Sequence, residues 1–174
     1  MKNTLLLLAT GIIATICVQA QNTQMISQVA GFHVLQTFAP VNTSLSANEK
    51  NLINVKAIRD FSKTYKNVTN EEWFVIKTGF MARFTLQNIQ YRVTYNRKGH
   101  WVATFRYYKQ QQLSPEICTL IKSTYYNYNI REVTEVSIGR ITAWLVNIED
   151  DSSLKTIKVV NNEMEVIQDV AVLK

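Results

Sequence analysis

Three arginines, Arg83, Arg92 and Arg106, are the residues of this sequence whose type and spacing best suit a binding site. Each stands at a polar position of a segment in which apolar and polar residues alternate, as in strands with one buried face. Neighbouring strands lie about 4.8 Å apart, so the three guanidinium groups would form one basic stripe, bordered by Tyr108. Arginine binds carboxylates of a partner well because its planar fork donates paired hydrogen bonds. A solvated face that binds nothing is the alternative interpretation.

The sequence contains no recognisable set of catalytic, metal-binding or cofactor-binding residues. His33 and His100 are the only histidines, and no histidine or cysteine pair has the spacing of metal ligands. Cys118 lies in a helical pattern and is expected to be a small buried hydrophobe rather than a nucleophile. The acidic run 149–151 could hold a calcium ion, but it lacks the alternating oxygen ligands of a dedicated loop. We therefore predict no enzyme activity, no metal and no cofactor.

The arginines must be positioned by strands, and the segment 80–108 predicts three of them. The predicted apolar face carries alternate residues of each run: Phe80, Ala82, Phe84 and Leu86, then Tyr91, Val93 and Tyr95, then Trp101, Ala103, Phe105 and Tyr107. A loop at 97–99 would place Tyr95 opposite Trp101 and Val93 opposite Ala103, so that apolar residues face each other. Gly99 would supply the positive φ that this loop needs.

Two helices and five further strands complete the pattern. The apolar residues of the first helix recur at threes and fours: Leu52, Val55, Ile58, Phe61 and Tyr65. We expect Trp101 to pack under this helix, which has two candidate N-caps, Asn54 and a capping box at 46–49. Ser114 should begin the second helix, followed by Pro115 and Glu116. The other strands are predicted at 73–77, 131–138, 140–148, 154–160 and 164–172, with a turn at 161–162 that sets Lys158 against Glu165.

The two halves of the chain have the same pattern. A shift of sixty residues places Phe61 on Ile121 and Trp73 on Val133. Each half reads as one helix followed by a four-stranded meander, and neither would bury its own sheet face well alone. We predict an α+β fold in which two tandem repeats, 49–110 and 111–174, form one antiparallel sheet of eight strands and one joint domain.

The first twenty residues have the features of a signal peptide. Lys2 precedes an apolar run from Leu5 to Val18, and the small residues Val18 and Ala20 suit a signal peptidase. We expect cleavage after Ala20, a lead-in segment at 21–48, and a secreted or periplasmic protein without a membrane span. An uncleaved anchor and a lipoprotein modified at Cys17 are the alternatives. The mature chain would keep one cysteine and form no internal disulfide.

Charge is unevenly distributed along the chain. Residues 55–109 include 11 basic and 3 acidic residues, whereas residues 110–174 include 6 basic and 9 acidic ones. This distribution would suit an acidic protein or peptide partner. Basic and aromatic residues also interleave in the first half, but the export signal argues against nucleic acid.

The chain resembles the PepSY-like, beta-lactamase-inhibitor-like (BLIP-like) proteins secreted by Bacteroidetes-type bacteria. The resemblance runs from about Asn54 to Val172 and is carried by the first helix with Trp73 after it, by Gly99-His100-Trp101, and by the second helix from Ser114 to Ile130. Glu163 stands where the turn glycine of the second half would be. The resemblance implies helices on one face of a curved antiparallel sheet and a binding or inhibitory role, and it carries over no catalytic residue.

These observations together predict a secreted, non-enzymatic protein that binds a protein or peptide through the face carrying Arg83, Arg92, Arg106 and Tyr108. Inhibition of the partner is one form that this role could take. A structural or chaperone-like accessory protein of the cell envelope is the alternative, and a small hydrolase is a third. The sequence indicates neither the partner's identity nor the oligomeric state.

Overall fold

The computed structural model describes residues 49–172, which form two α-helices and one sheet of eight strands. The elements of the first half are α1 (Val55–Thr64), β1 (Thr69–Ile76), β2 (Gly79–Leu86), β3 (Ile89–Asn96) and β4 (Trp101–Tyr108). Those of the second half are α2 (Pro115–Thr124), β5 (Asn129–Ile138), β6 (Ile141–Glu149), β7 (Ser153–Val160) and β8 (Glu163–Ala171). The predicted α+β class and the single eight-stranded antiparallel sheet are confirmed, whereas the signal peptide and the lead-in segment lie outside the described residues.

The strands lie in the sheet in their order along the chain, and every neighbouring pair is antiparallel. The pairing of β4 with β5 joins the two halves, with α2 in the connection between them. Within residues 49–172, the sheet therefore has two edges, β1 and β8, and no crossover.

Both helices cover the same face of the sheet, which we call the helix face. Ala57 and Phe61 of α1 pack with Trp73, while Ile117 and Ile121 of α2 pack in a second cluster. Aromatic side chains from α1 and the first strands contact each other at ring-centroid distances near 5 Å: Phe61, Tyr65, Trp73, Phe84 and Tyr91. This side of the sheet holds the main hydrophobic core.

The helix N-termini are set by the predicted caps. The Asn54 side chain accepts a hydrogen bond from the Lys56 backbone N–H at 2.9 Å, and the Ser114 hydroxyl accepts one from Ile117 at 3.4 Å. Because α1 begins after Asn54, the predicted apolar stripe is wrong at its start. Leu52 lies in a 3₁₀ turn, and both Leu52 and Val55 are exposed.

The turn between β3 and β4 has the predicted loop. Gly99 has a φ of +79°, and Tyr95 lies opposite Trp101. Trp101, however, is 37% exposed and does not belong to the cluster under α1, where Trp73 takes that place. The turn at Asn161 and Asn162 is confirmed, as is the pairing of Lys158 with Glu165.

One register prediction is wrong, and it reverses the orientation of most of β4. After the pair of Tyr95 and Trp101, the next pair is Thr94 with Ala103, which leaves Val102 as an extra residue in β4. Such a β-bulge shifts the alternation by one residue. Val93 therefore lies opposite Thr104 instead of Ala103.

Candidate binding face

The face opposite the helices, which we call the second face, carries three rows of side chains that cross the sheet. Directly paired residues of antiparallel strands point to the same side, so each row can be followed from strand to strand through the register. Neither α1 nor α2 belongs to the small apolar cluster on this side, which is centred on Ala103, Phe105 and Val136.

The first row, called the apolar row, crosses six strands from β1 to β6. Its members are Phe74, Met81, Thr94, Ala103, Ile138 and Ile141. Phe74, Thr94 and Ala103 are buried, whereas Met81, Ile138 and Ile141 are half-buried. The central strands are thus apolar on both faces, which is unusual for an antiparallel sheet with one solvated side.

The second row, called the charged row, crosses all eight strands. Its members are Glu72, Arg83, Arg92, Phe105, Val136, Ala143, Val160 and Glu163. Arg83 lies directly opposite Arg92, and it forms an ion pair with Glu72. Each guanidinium also lies over a ring, with Arg83 5.2 Å from the centroid of Phe74 and Arg92 5.1 Å from that of Tyr107. Two of the three predicted arginines are therefore neighbours on one face.

Arg106 and Tyr108 do not join them, because the bulge at Val102 turns both side chains to the helix face. Arg106 donates hydrogen bonds to both carboxylate oxygens of Glu135 at 2.9 Å, and the Tyr108 hydroxyl donates one to Glu135 at 2.6 Å. Burial raises the pKa of Tyr108, and its hydrogen bond to Glu135 raises it further. The predicted three-arginine stripe is thus wrong in geometry, since Arg106 is a partner of Glu135 beside the core.

The third row, called the polar row, lies at the end of the face next to the β2–β3 turn. Its members are Thr85, Gln90, Tyr107, Thr134, Leu145, Lys158 and Glu165. The first four line a cavity of about 540 Å3, together with Gln112 and the ion pair of Lys109 and Glu132. Burial raises the pKa of the Tyr107 hydroxyl, and the charge of Arg92 opposes that shift. This volume is in the range of small-ligand and side-chain pockets.

The other residues that the sequence offers for catalysis or metal binding lie on separate elements. His100 is exposed at the β3–β4 turn, Cys118 is half-buried on α2, and His33 lies outside the described residues. Asp150 accepts hydrogen bonds from the backbone of Ser152 and Ser153, and these lower its pKa to about 2. Within residues 49–172, no group of three or more potential ligands could hold a metal ion. No helix in the same range is long and apolar enough to cross a membrane.

Sequence reasoning did not identify the apolar row or the polar row as sites. Phe74 and Met81 alternate correctly in the sequence, so their side could have been read from β1 and β2. The sides of Ala103, Phe105 and Tyr107 depend on the bulge, for which the sequence gives no signal.

Comparison with known proteins places this architecture among solved structures from Bacteroides. A BLIP-like protein from Bacteroides fragilis superposes with a TM-score of 0.54 and 16% identity, covering 69% of this chain and 86% of that chain. A DUF2874 family protein from Bacteroides uniformis gives 0.54 and 14%, covering 68% and 88%. A protein of Bacteroides eggerthii assigned provisionally to the periplasm gives 0.55 and 13%, covering 68% and 88%.

These likenesses concern the fold, because sequence identity is low in every case. No family model matches the chain, and no curated protein matches it. The chain therefore shares the BLIP-like arrangement of two helices and one eight-stranded sheet.

Proposed function

We propose that this protein is a secreted, non-enzymatic binding protein that holds a protein or peptide partner against its second face. The observation that carries this proposal is the apolar row, which crosses six strands on the side that neither helix covers. Half-buried Met81, Ile138 and Ile141 give a partner apolar surface to cover, and Arg83 and Arg92 lie in the adjacent row. Apolar surface with arginine and aromatic residues beside it is typical of protein interfaces.

Inhibition of an enzyme is the form of this role that the fold comparison suggests. One of the solved structures is described as BLIP-like, which gives this form more support than a purely structural role. We infer that the partner contributes apolar side chains to the apolar row and an acidic group to Arg92, since Glu72 already neutralises Arg83. We also propose that the two halves arose as tandem PepSY-like repeats. The identical order of helix and strands in the two halves supports this origin.

The proposal is tested by capture followed by mutation. The purified chain without residues 1–20 is immobilised, partners are captured from envelope extract of the native host, and the affinity of each purified partner is measured. Ile138→Glu combined with Ile141→Glu places two charges in the apolar row and should weaken binding about tenfold or more. Val166→Glu is the matched control, because Val166 is 44% exposed and lies on the helix face opposite Ile157.

The outcomes separate the candidate functions. One partner bound in a stoichiometric complex, with its activity suppressed, supports inhibition. Many partners with similar affinity would instead favour the chaperone-like accessory role. Equal binding by the apolar-row variant and by the control, with both variants folded in thermal denaturation, would show that the second face is not the binding surface.

A further inference from the structure

The three arginines differ in whether a carboxylate neutralises them. Arg83 is paired with Glu72 and Arg106 with Glu135. Within residues 49–172, Arg92 has no ion pair, although it is half-buried and lies directly opposite Arg83. The first 48 residues of the sequence contain no aspartate or glutamate, so no side chain of that segment supplies the missing carboxylate.

The Arg92 guanidinium is held in place without an anion. It lies 5.1 Å from the centroid of the Tyr107 ring, and the backbone of β3 is paired on both sides, with β2 and β4. Because the Arg92 side chain is already oriented, it loses little conformational entropy on binding, and the net affinity for a ligand is therefore higher. A carboxylate at this point would also offset the repulsion between Arg92 and Arg83.

The surroundings of Arg92 suit a peptide. The ring beneath its guanidinium, Tyr107, is also a wall of the 540 Å3 cavity, and Gln90 lies two residues away on the same face. Thr85, Gln90 and Thr134 bring hydroxyl and amide groups that can donate and accept hydrogen bonds, as peptide groups require. On the other side of Arg92, the apolar row can contact apolar side chains of the same ligand.

We propose that Arg92 is the carboxylate anchor of the second face, binding an acidic group of a peptide segment whose neighbouring polar atoms enter the cavity beside Tyr107. This inference rests on the proposed function and names the chemistry of its partner. The carboxylate could come from an aspartate or glutamate side chain or from a free C-terminus. Both sources present the same planar pair of oxygens, which matches the guanidinium fork.

The test uses three pools of short synthetic peptides whose other positions are randomised among non-acidic residues. One pool carries a central aspartate and an amidated C-terminus, one a central asparagine and a free C-terminus, and one a central asparagine and an amidated C-terminus. Binding of each labelled pool to the chain without residues 1–20 is followed by fluorescence anisotropy. We expect one or both carboxylate pools to bind about tenfold tighter than the neutral pool, and the pool that does so identifies the source.

Arg92→Gln should abolish that difference between the pools, while Arg92→Lys should keep part of it by retaining the charge. Glu72→Gln combined with Arg83→Gln is the matched control on the same face, and it should preserve the difference because it removes a cation together with the carboxylate that pairs with it. Equal binding of all three pools by the parent chain, or an unchanged preference in Arg92→Gln, would overturn the assignment.

The captured partner distinguishes failure of this inference from failure of the proposed function. If Arg92→Gln binds the partner as tightly as the parent while the Ile138→Glu, Ile141→Glu variant does not, the binding face stands and the anchor is wrong. If neither variant loses affinity, both proposals fall. Loss of affinity in Arg92→Gln that the Glu72→Gln, Arg83→Gln variant does not share supports the anchor.

Discussion

At the scale of single residues, the charge partner of each arginine determines what its removal should do. Arg106 sits on the helix face with Glu135, whose side chain is only 14% exposed. Arg83 and Arg92 lie on the second face, where Glu72 neutralises only the first. Stability effects should therefore concentrate at Arg106, and binding effects at Arg92.

We predict that Glu135→Ala lowers the free energy of unfolding by about 2 kcal/mol, because it leaves the Arg106 guanidinium and the Tyr108 hydroxyl near the core without their acceptor. Urea denaturation of the parent and the variant measures the difference. The double variant Arg106→Leu with Glu135→Leu should recover part of it, since neither charge is then left unpaired. A Glu135→Ala midpoint equal to that of the parent would mean that the ion pair contributes nothing to stability.

The same residues show which side-chain orientations can be predicted from the sequence and which cannot. The side of Arg83 and of Arg92 follows from simple alternation, because β2 and β3 pair without interruption. The side of Arg106 does not follow from alternation, because the extra residue at Val102 reverses the side to which each later side chain of β4 points. A bulge is specified by contacts between strands rather than by a local pattern, so period-two counting could not reveal it.

At the scale of elements, the β3–β4 turn and the start of α1 stabilise each other. The Asn54 side chain, which caps α1, also donates a hydrogen bond to the Arg97 carbonyl at 3.2 Å. A Cβ atom at Gly99 would lie 2.8 Å from the Asn54 side-chain oxygen and 2.9 Å from the Ala57 backbone nitrogen. The need for glycine in this turn was readable from the sequence, but its contact with the helix was not.

Two glycines provide a matched test of that contact. Gly99 and Gly139 both have positive φ, but a Cβ at Gly139 would meet no atom within 4 Å. Gly139→Ala should therefore cost about 1 kcal/mol of stability from backbone strain alone, and Gly99→Ala about 2 kcal/mol or more. Thermal denaturation of both variants gives the comparison. Equal decreases in the two thermal midpoints would show that the close contact between the Gly99 turn and α1 adds no cost to the substitution.

At the scale of the whole molecule, the structure shows which elements carry the uneven charge. The excess of basic residues falls within α1 and β1–β4, the half that carries Arg83 and Arg92. An acidic partner would be attracted toward this half over distances of about one Debye length, roughly 10 Å at moderate salt. The uneven charge can be read from the sequence, whereas the face that carries Arg83 and Arg92 can be identified only from the sheet register.

The export that we propose for this protein leads to a prediction about its mass. We expect the protein isolated from its native host to begin at Gln21, because small residues at 18 and 20 follow an apolar run. Intact-mass spectrometry distinguishes this form from the alternatives. A mass that includes Met1 would indicate an uncleaved anchor, and an added lipid mass on Cys17 would indicate a lipoprotein.

The order of the strands has a consequence for how the chain folds. Since each strand pairs with its neighbour in sequence, seven successive pairings build the sheet, and six of them close short turns. The pairing of β4 with β5 must instead close the connection that contains α2, so it carries the largest entropic cost of loop closure. Hairpins that close locally form quickly, in microseconds when isolated. The two halves should therefore form first, and their joining at β4 and β5 should be the slow step that completes the charged row.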